Sequence, residues 1–359
     1  MGAQTLIVTA DEDGMRLDRW LRVRVGAMPI GLLNKIVRTG QVRVDGGRVK
    51  SNARLAEGQA VRVPPRPEGV PEPGVVAGVH GAAEGDRRAL QAMMLYEDRG
   101  LFVLNKPYGL AVQGGSGTTH HLDGMLDALT DAGGERPRLV HRLDRDTSGV
   151  LLLARTRRMA ADLAALFRSR DARKTYWALV EGVPKPGQGR ISLFLAKGDA
   201  MGEAGRGGPR MADERAALER MRVARHGEGD AQHSVTYYAV VDKAAPRLSW
   251  LSMKPVTGRT HQLRAHAEAI GHPIVGDPKY HGRVAENDPR RTDPTRAVPD
   301  VVERKLHLLA RRLVIPNPSG GTLDITAPLP PHMQASWDLF GFDVGRFDPI
   351  EAAPDEDRR

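Results

Sequence analysis

The amino-acid sequence predicts an α+β protein with a small basic α/β module and a larger domain built on a mixed, mainly antiparallel sheet. The chain has 359 residues, more than one compact module usually holds, which favours two domains. Strand-like apolar segments dominate the second part, with interspersed helices but no strict strand–helix alternation. Residues 16–66 contain twelve Lys and Arg against three Asp and Glu, and this excess equals the +9 charge of the whole chain. Such a module is expected to dock a polyanion, although a solvated basic surface is the alternative.

The composition narrows the chemistry further. The chain has no cysteine, which excludes disulfides, thiolate nucleophiles and cysteine-ligated metal sites, and favours a reducing, cytoplasmic setting. No run of about 18 apolar residues occurs, so we expect no membrane-spanning helix. The N-terminal stretch lacks the basic and then apolar layout of a signal peptide.

The first domain is predicted over residues 1–65. Apolar residues recur at helical spacing over 17–25 and 30–37, and Gly40 follows as a stop signal. The stretch "QVRVDGGRVK" (41–50) alternates around an Asp-Gly-Gly turn and predicts a β-hairpin, and "QAVRV" predicts another strand. Basic side chains that fall mostly opposite the apolar stripe are the predicted docking residues: Arg19, Arg22, Lys35, Arg38 and Arg43.

The second domain is predicted over residues 90–340, after a linker at 66–89 that is rich in Pro and Gly, and before a flexible acidic tail at 341–359. Its predicted strands include "LFVLNKP", "GVLLLAR", "KTYWALVEG", "SVTYYAVV" and "LSWLSMKP". "THQLRAHAEAI" predicts a helix with Leu263 on its apolar face, and the glycine-rich stretch 198–210 predicts a loop insertion.

The stretch "HRLDRDTSG" (141–149) places two carboxylates among basic residues. Asp146 precedes Thr-Ser-Gly and has turn chemistry, which predicts local bonds to backbone N–H groups. Asp144 follows the apolar Leu143 and lies between two arginines, where nearby cations favour the ionised form. An ionised, fixed carboxylate can act as a nucleophile, but these residues alone favour a structural ion pair.

Three further stretches belong with this motif: "RKTYWALVEG", "PVTGRTHQLRAHAEAIGHPIVGDPKY" and "LNKPYGLAVQGGSG". Together they resemble the RluA family of pseudouridine synthases, from Leu95 to about Pro328. The first domain resembles the S4 RNA-binding domain through "GMRLDRWL" and "LLNKIVRTGQVRVDGGRV". This combination is most similar to the C-type branch, which modifies 23S ribosomal RNA.

The resemblance implies roles for individual residues. Asp144 matches the catalytic aspartate and Arg264 the arginine that pairs with it. Tyr176 matches the active-site tyrosine, which either stacks on the target base or accepts a proton. We favour the proton-accepting role, because Arg173, Lys174 or Arg264 would draw the phenol toward phenolate. The resemblance places further residues at the substrate: Arg142, Leu263, His141 and Lys106.

Pseudouridine formation breaks the C1′–N1 bond of uridine, turns the uracil and joins C5 to C1′, so no redox or nucleotide cofactor is expected. "GGSG" is not followed by the Lys of a phosphate-binding loop. We expect no metal site, because His261 and His266 are five residues apart and lack metal-ligand spacing. A glycoside hydrolase needs a second carboxyl group, whereas one carboxylate suffices here.

The implied partner is 23S ribosomal RNA, free or in an assembling large subunit, bound by a monomeric enzyme without membrane contact. Three alternatives stay open: a tRNA pseudouridine synthase, a non-catalytic ribosome-assembly factor and a nucleic-acid hydrolase. The hydrolase lacks clustered carboxylates. Departures from the family pattern are Leu309 where many relatives have a second histidine after His307, His281 after Tyr280, and the long insertion. These departures leave open which RNA is the substrate, but they do not change the predicted reaction.

Overall fold

The computed structural model describes residues 3–25, 30–65, 79–114, 118, 120–130, 135–169, 171–198, 220–280 and 298–354. The chain forms two compact units, Met1–Ala82 and Ala83–Arg359. Within the described ranges, no helix has the length and apolar character needed to cross a membrane.

The first unit contains helices α1 (Leu17–Val25) and α2 (Ile30–Arg38) and a three-stranded sheet. The strands are β1 (Gln4–Ile7), β2 (Arg43–Val44) and β3 (Ala60–Val63), in the order β1-β3-β2. Both helices bury the apolar residues that predicted them, in a core with these fully buried members: Leu17, Trp20, Leu21, Leu33, Val42, Val61 and Val63.

The sequence predicts that the two sides of the turn within residues 41–50 pair as a hairpin, and this pairing is wrong. The tight turn is present, because Val44 and Gly47 exchange backbone hydrogen bonds of 3.1 and 2.9 Å. However, β2 pairs with β3 and not with the residues after the turn. The Asp45 carboxylate explains this preference, because it accepts the backbone N–H of Ala60 at 2.8 Å and so ties the turn to β3.

Helix α3 (Val79–Ala92) covers part of the region predicted as a linker. The segment "RRALQA" consists of strong helix formers, which outweigh the two glycines within the helix. The predicted linker over 66–89 is therefore wrong for residues 79–89. Residues 66–78 lie outside the described residues.

The second unit is built on an 11-stranded sheet, with nine strands in the order β10-β9-β11-β12-β8-β13-β7-β5-β4. All described pairings are antiparallel except that between β13 and β7. The predicted mixed, mainly antiparallel sheet and the α+β class are confirmed. The bounds along the chain are β4 Met94–Glu97, β5 Leu101–Lys106, β6 Arg138–Leu139, β7 Ser148–Ala154, β8 Arg173–Glu181, β9 Gln188–Lys197, β10 Met221–Ala224, β11 Gln232–Ala244, β12 Leu248–Pro255, β13 Leu308–Pro316 and β14 Thr322–Thr326.

Besides α3, four helices accompany this sheet in the described ranges: α4 Leu122–Met125, α5 Arg157–Ser169, α6 Gln262–Ala269 and α7 Pro331–Phe340. The predicted "THQLRAHAEAI" helix is confirmed as α6, with Leu263 and Ala267 buried. The predicted insertion at 198–210 lies outside the described residues except for Gly198.

The segment after α7 packs against the sheet. Phe342 is buried against Trp250 and Trp337, with ring centroids 6.1 and 5.7 Å apart. The Asp348 carboxylate accepts hydrogen bonds from the Trp177 indole at 2.9 Å and from the Ser252 hydroxyl at 2.7 Å. The flexible tail predicted from residue 341 is therefore wrong for 341–354, because its acidic residues meet specific donors. Residues 355–359 lie outside the described residues.

Candidate active site

Strand β13 lies between β7 and β8 and brings the two halves of the site together. Ala310 of β13 faces Gly149 of β7 on one side and Tyr176 of β8 on the other. Gly149 has a φ of +110°, and a Cβ there would lie 2.2 Å from the Ala310 carbonyl oxygen. Only glycine therefore lets β7 approach β13, and the Asp144 turn directly precedes this contact.

The Asp144 turn closes through the backbone, where the Thr147 N–H donates to the Asp144 carbonyl at 3.2 Å. Among the described contacts, Asp146 makes none of the predicted side-chain bonds to local N–H groups. Its charge acts on Lys106, together with that of Asp144, to raise the ammonium pKa against the larger effect of burial. The expected turn is confirmed, but the Asp146 carboxylate does not close it.

Lys106 is fully buried, and its ammonium donates to the carbonyls of Pro107, Leu110 and Arg145 at 2.9, 2.9 and 2.8 Å. Burial lowers its pKa to about 7. These bonds tie the Lys-Pro loop to the Asp144 turn. The ammonium is engaged by three backbone carbonyls and buried, which favours a structural role over the predicted contact with the substrate.

A cavity of about 560 Å³ opens in front of the Asp144 turn. The structure brings six predicted site residues to its wall: Asp144, Tyr176, Arg264, Leu263, Arg142 and His141. Arg142 is exposed, whereas Leu263 is 7% exposed. Within the described part of the wall, Asp144 is the only carboxylate, and it is accompanied by seven Lys and Arg: Arg142, Arg168, Arg173, Lys174, Lys254, Arg259 and Arg264. The cavity therefore suits an anionic ligand.

His141 contributes its ring to the cavity wall and one ring nitrogen to the fold. Its Nε2 accepts the backbone N–H of Leu152 at 2.9 Å, and the ring stacks on Phe167 with centroids 4.6 Å apart. Burial, followed by the charge of Lys174, lowers the pKa of His141 to about 3, so the ring is neutral. Its hydrogen bond connects the strand β7 to the residues that lead into the Asp144 turn.

Arg264 lies between two carboxylates. Its Nη1 is 3.5 Å from Asp144 Oδ2, the partner expected from the sequence, but its closest partner is Asp277. Arg264 Nε and Nη2 donate to the two Asp277 oxygens at 2.7 and 2.6 Å, in a fork that fixes the guanidinium plane. Burial works to lower the pKa of Arg264, but the bonds and charge of Asp277 raise it overall. The guanidinium therefore stays charged beside Asp144.

Asp277 is the main residue that the sequence does not predict. It is 1% exposed and also accepts the backbone N–H groups of Lys279 and Tyr280 at 2.9 and 3.0 Å. The signal that could have found it is the preceding Gly276, which has a φ of +71° and packs against the backbone of Lys305. That glycine marks a tight turn which directs the carboxylate inward.

Tyr176 lines the cavity and is a protonated phenol. Burial, followed by the negative charge of Asp144, raises its pKa above the ordinary value. The prediction that Arg173, Lys174 or Arg264 draws this phenol toward phenolate is therefore wrong, because burial and the carboxylate dominate. Lys174 follows the same rule, since burial lowers its pKa.

The histidines considered as metal ligands, His261 and His266, and the nearby His272 have different surroundings. His266 bonds Ser234 and Thr236 at 2.8 and 3.0 Å, and His272 bonds the Glu181 carbonyl. His261 instead faces the cavity, with Nε2 3.8 Å from Asp144 Oδ2. Its φ of 51° is in the left-handed region, which non-glycine residues rarely adopt.

The departures from the family pattern have partial structural accounts. Leu309 is fully buried in β13, where it pairs with Ser148 and Trp177. His307 is buried, and its ring nitrogens bond the Lys305 carbonyl at 2.7 Å and the Ser336 hydroxyl at 2.8 Å, a structural role. His281 lies outside the described residues.

The predicted docking residues of the first unit are described only in part. Lys35 and Arg38 are exposed on α2. Arg43 is half-buried and donates to the carbonyls of Gly40 and Gly46, at 3.4 and 3.1 Å. The side chains of Arg19 and Arg22 lie outside the described part of the structure.

Comparison with known proteins connects this geometry to a reaction. Residues 100–269 match the RNA pseudouridylate synthase family. The chain is 37% identical over 283 residues to ribosomal large subunit pseudouridine synthase C of Vibrio vulnificus (strain CMCP6), covering 77% of this chain and 80% of that protein. It is 35% identical over 329 residues to the protein of the same name from Escherichia coli (strain K12), covering 90% and 92%. The chain belongs to the RluA family of RNA pseudouridine synthases.

A solved structure agrees with this assignment. Human RNA Pseudouridylate Synthase Domain Containing 4 has a TM-score of 0.56 and 28% identity, covering 73% of this chain and 98% of that chain. Asp144, Tyr176 and Arg264 all lie within the residues that match the family, whereas Asp277 follows them. This RluA-family enzyme is therefore an RNA pseudouridine synthase whose cavity contains the three predicted residues.

Proposed function

We propose that this enzyme converts uridines of 23S ribosomal RNA to pseudouridine, with Asp144 as the catalytic carboxylate. The observation that carries the proposal is the single carboxylate in the described cavity wall, held against Arg264 at 3.5 Å. The names of the Vibrio and Escherichia relatives support the large ribosomal subunit as the source of the substrate.

The target uridine must leave its stack before it enters the cavity, at a cost of about a few kcal/mol. Three exposed arginines of the wall, Arg168, Arg173 and Arg259, are suited to bind the RNA phosphates and offset this cost. Arg142, exposed at the wall, is suited to occupy the space that the flipped base leaves. Leu263 and the Tyr176 ring offer apolar surface to the uracil.

Asp144 then assists the departure of N1 from C1′. Three routes are open to it: attack on C1′, attack on C6 of the uracil, or assistance of a glycal route. The uracil stays in the cavity, turns and joins C1′ through C5. The C5 proton is lost and N1 gains a proton, so the product is an isomer of the substrate and no cofactor takes part.

The hydrolase alternative does not fit this wall. A glycoside hydrolase needs a second carboxyl group about 5 to 10 Å from the first. Asp277 cannot serve, because it is buried and both of its oxygens are engaged by Arg264. The retained Asp144, Tyr176 and Arg264 likewise favour an active enzyme over a non-catalytic assembly factor.

We also propose that the first unit is an S4 RNA-binding module that docks the ribosomal RNA through its basic residues, Lys35 and Arg38 among them. The described core of two helices and a short sheet, with exposed basic residues on α2, supports this role. The proposed enzyme acts as a monomer in the cytoplasm, without a nucleotide cofactor, on free RNA or on an assembling large subunit.

The test is pseudouridine mapping of total RNA from a strain that lacks this gene, complemented with wild type or with Asp144→Asn. We expect 23S sites to disappear in the deletion, to return with wild type and to stay absent with the variant. Loss of tRNA sites alone would overturn the ribosomal substrate. An unchanged map would overturn the proposed function.

A further inference from the structure

We propose that His261 is a positioning residue for the catalytic carboxylate, and that His261 and Arg264 together hold Asp144 Oδ2 so that Oδ1 is presented to the substrate. Arg264 Nη1 and His261 Nε2 both lie nearest to the same oxygen, at 3.5 and 3.8 Å. This inference rests on the proposed catalytic role of Asp144.

The hydrogen-bond network around Tyr280 determines which nitrogen of His261 carries the proton. Tyr280 is fully buried, and its phenol oxygen accepts the backbone N–H of Met221 at 2.7 Å. The same oxygen is 3.0 Å from His261 Nδ1. Among the described contacts of this hydroxyl, Nδ1 is the only acceptor, so the phenol donates its one proton to Nδ1. The proton of the neutral imidazole is then on Nε2, the nitrogen that faces Asp144.

The opposite tautomer is disfavoured for two physical reasons. A proton on Nδ1 would leave the Tyr280 hydroxyl hydrogen, in a fully buried position, without an acceptor among the described residues. It would also direct the Nε2 lone pair at the Asp144 carboxylate. Burial raises the pKa of Tyr280, so this phenol keeps the proton that it donates.

The surroundings of Tyr280 hold the network in place. Its ring lies 5.0 Å from the Arg264 guanidinium carbon and 5.1 Å from that of Arg220, measured from the ring centroid. Arg220 is in turn bound to both oxygens of Glu268 on α6, at 2.5 and 2.6 Å. His261 directly precedes α6, so the same helix fixes both partners of Asp144.

The backbone conformation of His261 also supports a positioning role. Its φ of 51° and ψ of 19° place it in the left-handed region, where a histidine is held only if the surroundings enforce it. The Gln262 side chain helps, since its Oε1 accepts the Thr257 hydroxyl and the Arg259 N–H at 2.7 and 3.0 Å. The resulting turn directs the imidazole at Asp144. A distance of 3.8 Å is too long for a hydrogen bond, so we expect Nε2 and Oδ2 to close on substrate binding.

The test is a set of variants assayed for pseudouridine formation in a single turnover on ribosomal RNA from the deletion strain. His261→Asn suits the left-handed backbone but removes the Nε2–H. We expect its rate constant to fall by about 10- to 100-fold, as is typical for residues that orient a reactive group. The dissociation constant for RNA should stay within about twofold, because the contact is made to Asp144 and not to RNA.

His261→Gln supplies the rescue, because its side-chain amide restores an N–H at the position of Nε2. We expect it to recover most of the rate. His233→Asn is the matched control, since His233 lies on β11 and bonds Ser192 at an exposed site. That control should retain the wild-type rate, and all variants should share the wild-type melting temperature within a few degrees.

The outcomes separate the two proposals. An active Asp144→Asn enzyme would sink the catalytic assignment itself. An inactive Asp144→Asn enzyme with a wild-type rate for His261→Asn would overturn only the role of His261, as would failure of a folded His261→Gln variant to regain activity. A ¹⁵N spectrum of His261 adds a readout without turnover: we expect the Nε2–H tautomer, and an Nδ1–H tautomer would contradict the network.

Discussion

The two faces of β8 differ in how completely their polar groups are engaged. Trp177 points to one face, where its indole donates to Asp348 and its ring meets Trp250 at a centroid distance of 4.4 Å. The adjacent Tyr176 points to the other face and lines the cavity. The same contrast separates Asp348, with donors at 2.7 and 2.9 Å, from Asp144, with cations at 3.5 and 3.8 Å. In the described contacts both oxygens of Asp348 are bonded, whereas the proposed catalytic Asp144 keeps Oδ1 available.

The largest expected effect is on turnover at the available carboxylate. Asp144→Asn keeps the volume and removes the charge, so we expect the single-turnover rate to fall by more than about 1,000-fold, or about 4 kcal/mol. RNA binding, measured by filter retention, should be nearly unchanged. Asp146→Asn is the matched control and should remain within about tenfold of wild type. Equal rates for the two variants would remove the distinction between these neighbouring aspartates.

The second-largest effect is expected on stability, at Asp277, the carboxylate that binds Arg264. Asp277→Asn leaves a buried guanidinium without its charged partner, and we expect the free energy of unfolding to fall by about 3 to 5 kcal/mol. Urea denaturation followed by tryptophan fluorescence measures this loss. Glu268→Gln, which alters a more exposed ion pair with Arg220, should cost less. If Asp277→Asn proved as stable as wild type, the fork seen in the structure would not hold the site.

Substitutions of Tyr176, on the cavity face of β8, are expected to have a smaller effect. Because burial and Asp144 raise the pKa of the phenol, a role as proton acceptor is disfavoured and stacking on the uracil is favoured. We expect Tyr176→Phe to keep the single-turnover rate within about tenfold of wild type, and Tyr176→Ala to weaken RNA binding by about 1 to 3 kcal/mol. A Phe variant that cleaves the glycosidic bond but stalls before product forms would restore the proton-accepting role.

The smallest effect on turnover is expected at the opposite face. Asp348→Ala leaves the Trp177 indole and the Ser252 hydroxyl without their acceptor, at a cost of about 1 to 3 kcal/mol in unfolding free energy. The single-turnover rate at 25 °C should be that of wild type. Glu351→Ala removes only an exposed partner of Arg312 and should cost less than about 1 kcal/mol. A rate loss in Asp348→Ala would show that the two faces are coupled.

The sequence predicts those parts of the fold that depend on local periodicity or on one motif. The buried strands β5 and β7, the helix α6 and the turn at Asp144 follow from apolar spacing and turn residues. Asp144, Tyr176 and Arg264 were assigned through a joint resemblance of several stretches, and the structure places all three in one cavity.

What the sequence misses depends on contacts between distant residues. The residues next to them in the sequence do not predict that Arg264 binds Asp277 through two hydrogen bonds, or that Lys106 is enclosed by three carbonyls. They also do not predict that Asp348 bonds Trp177. The acidic and proline residues after 341 predict a flexible tail, because such residues usually face solvent. In the structure, however, the Asp348 carboxylate accepts hydrogen bonds from Trp177 and Ser252. The predicted lowering of the Tyr176 pKa is wrong because the burial that raises it depends on the tertiary fold and not on neighbouring residues in the sequence.

The position of β13 has a consequence for the order in which the protein is made. Asp144 precedes β7 and Tyr176 lies on β8, but the strand that joins β7 to β8 is synthesised more than 120 residues later, at Leu308–Pro316. Until that strand leaves the ribosome, β7 and β8 each lack a neighbour and are open to pairing with other chains. The active site therefore assembles only after Leu308–Pro316 has been synthesised, and a nascent chain stopped before residue 308 carries the reactive residues without the reaction.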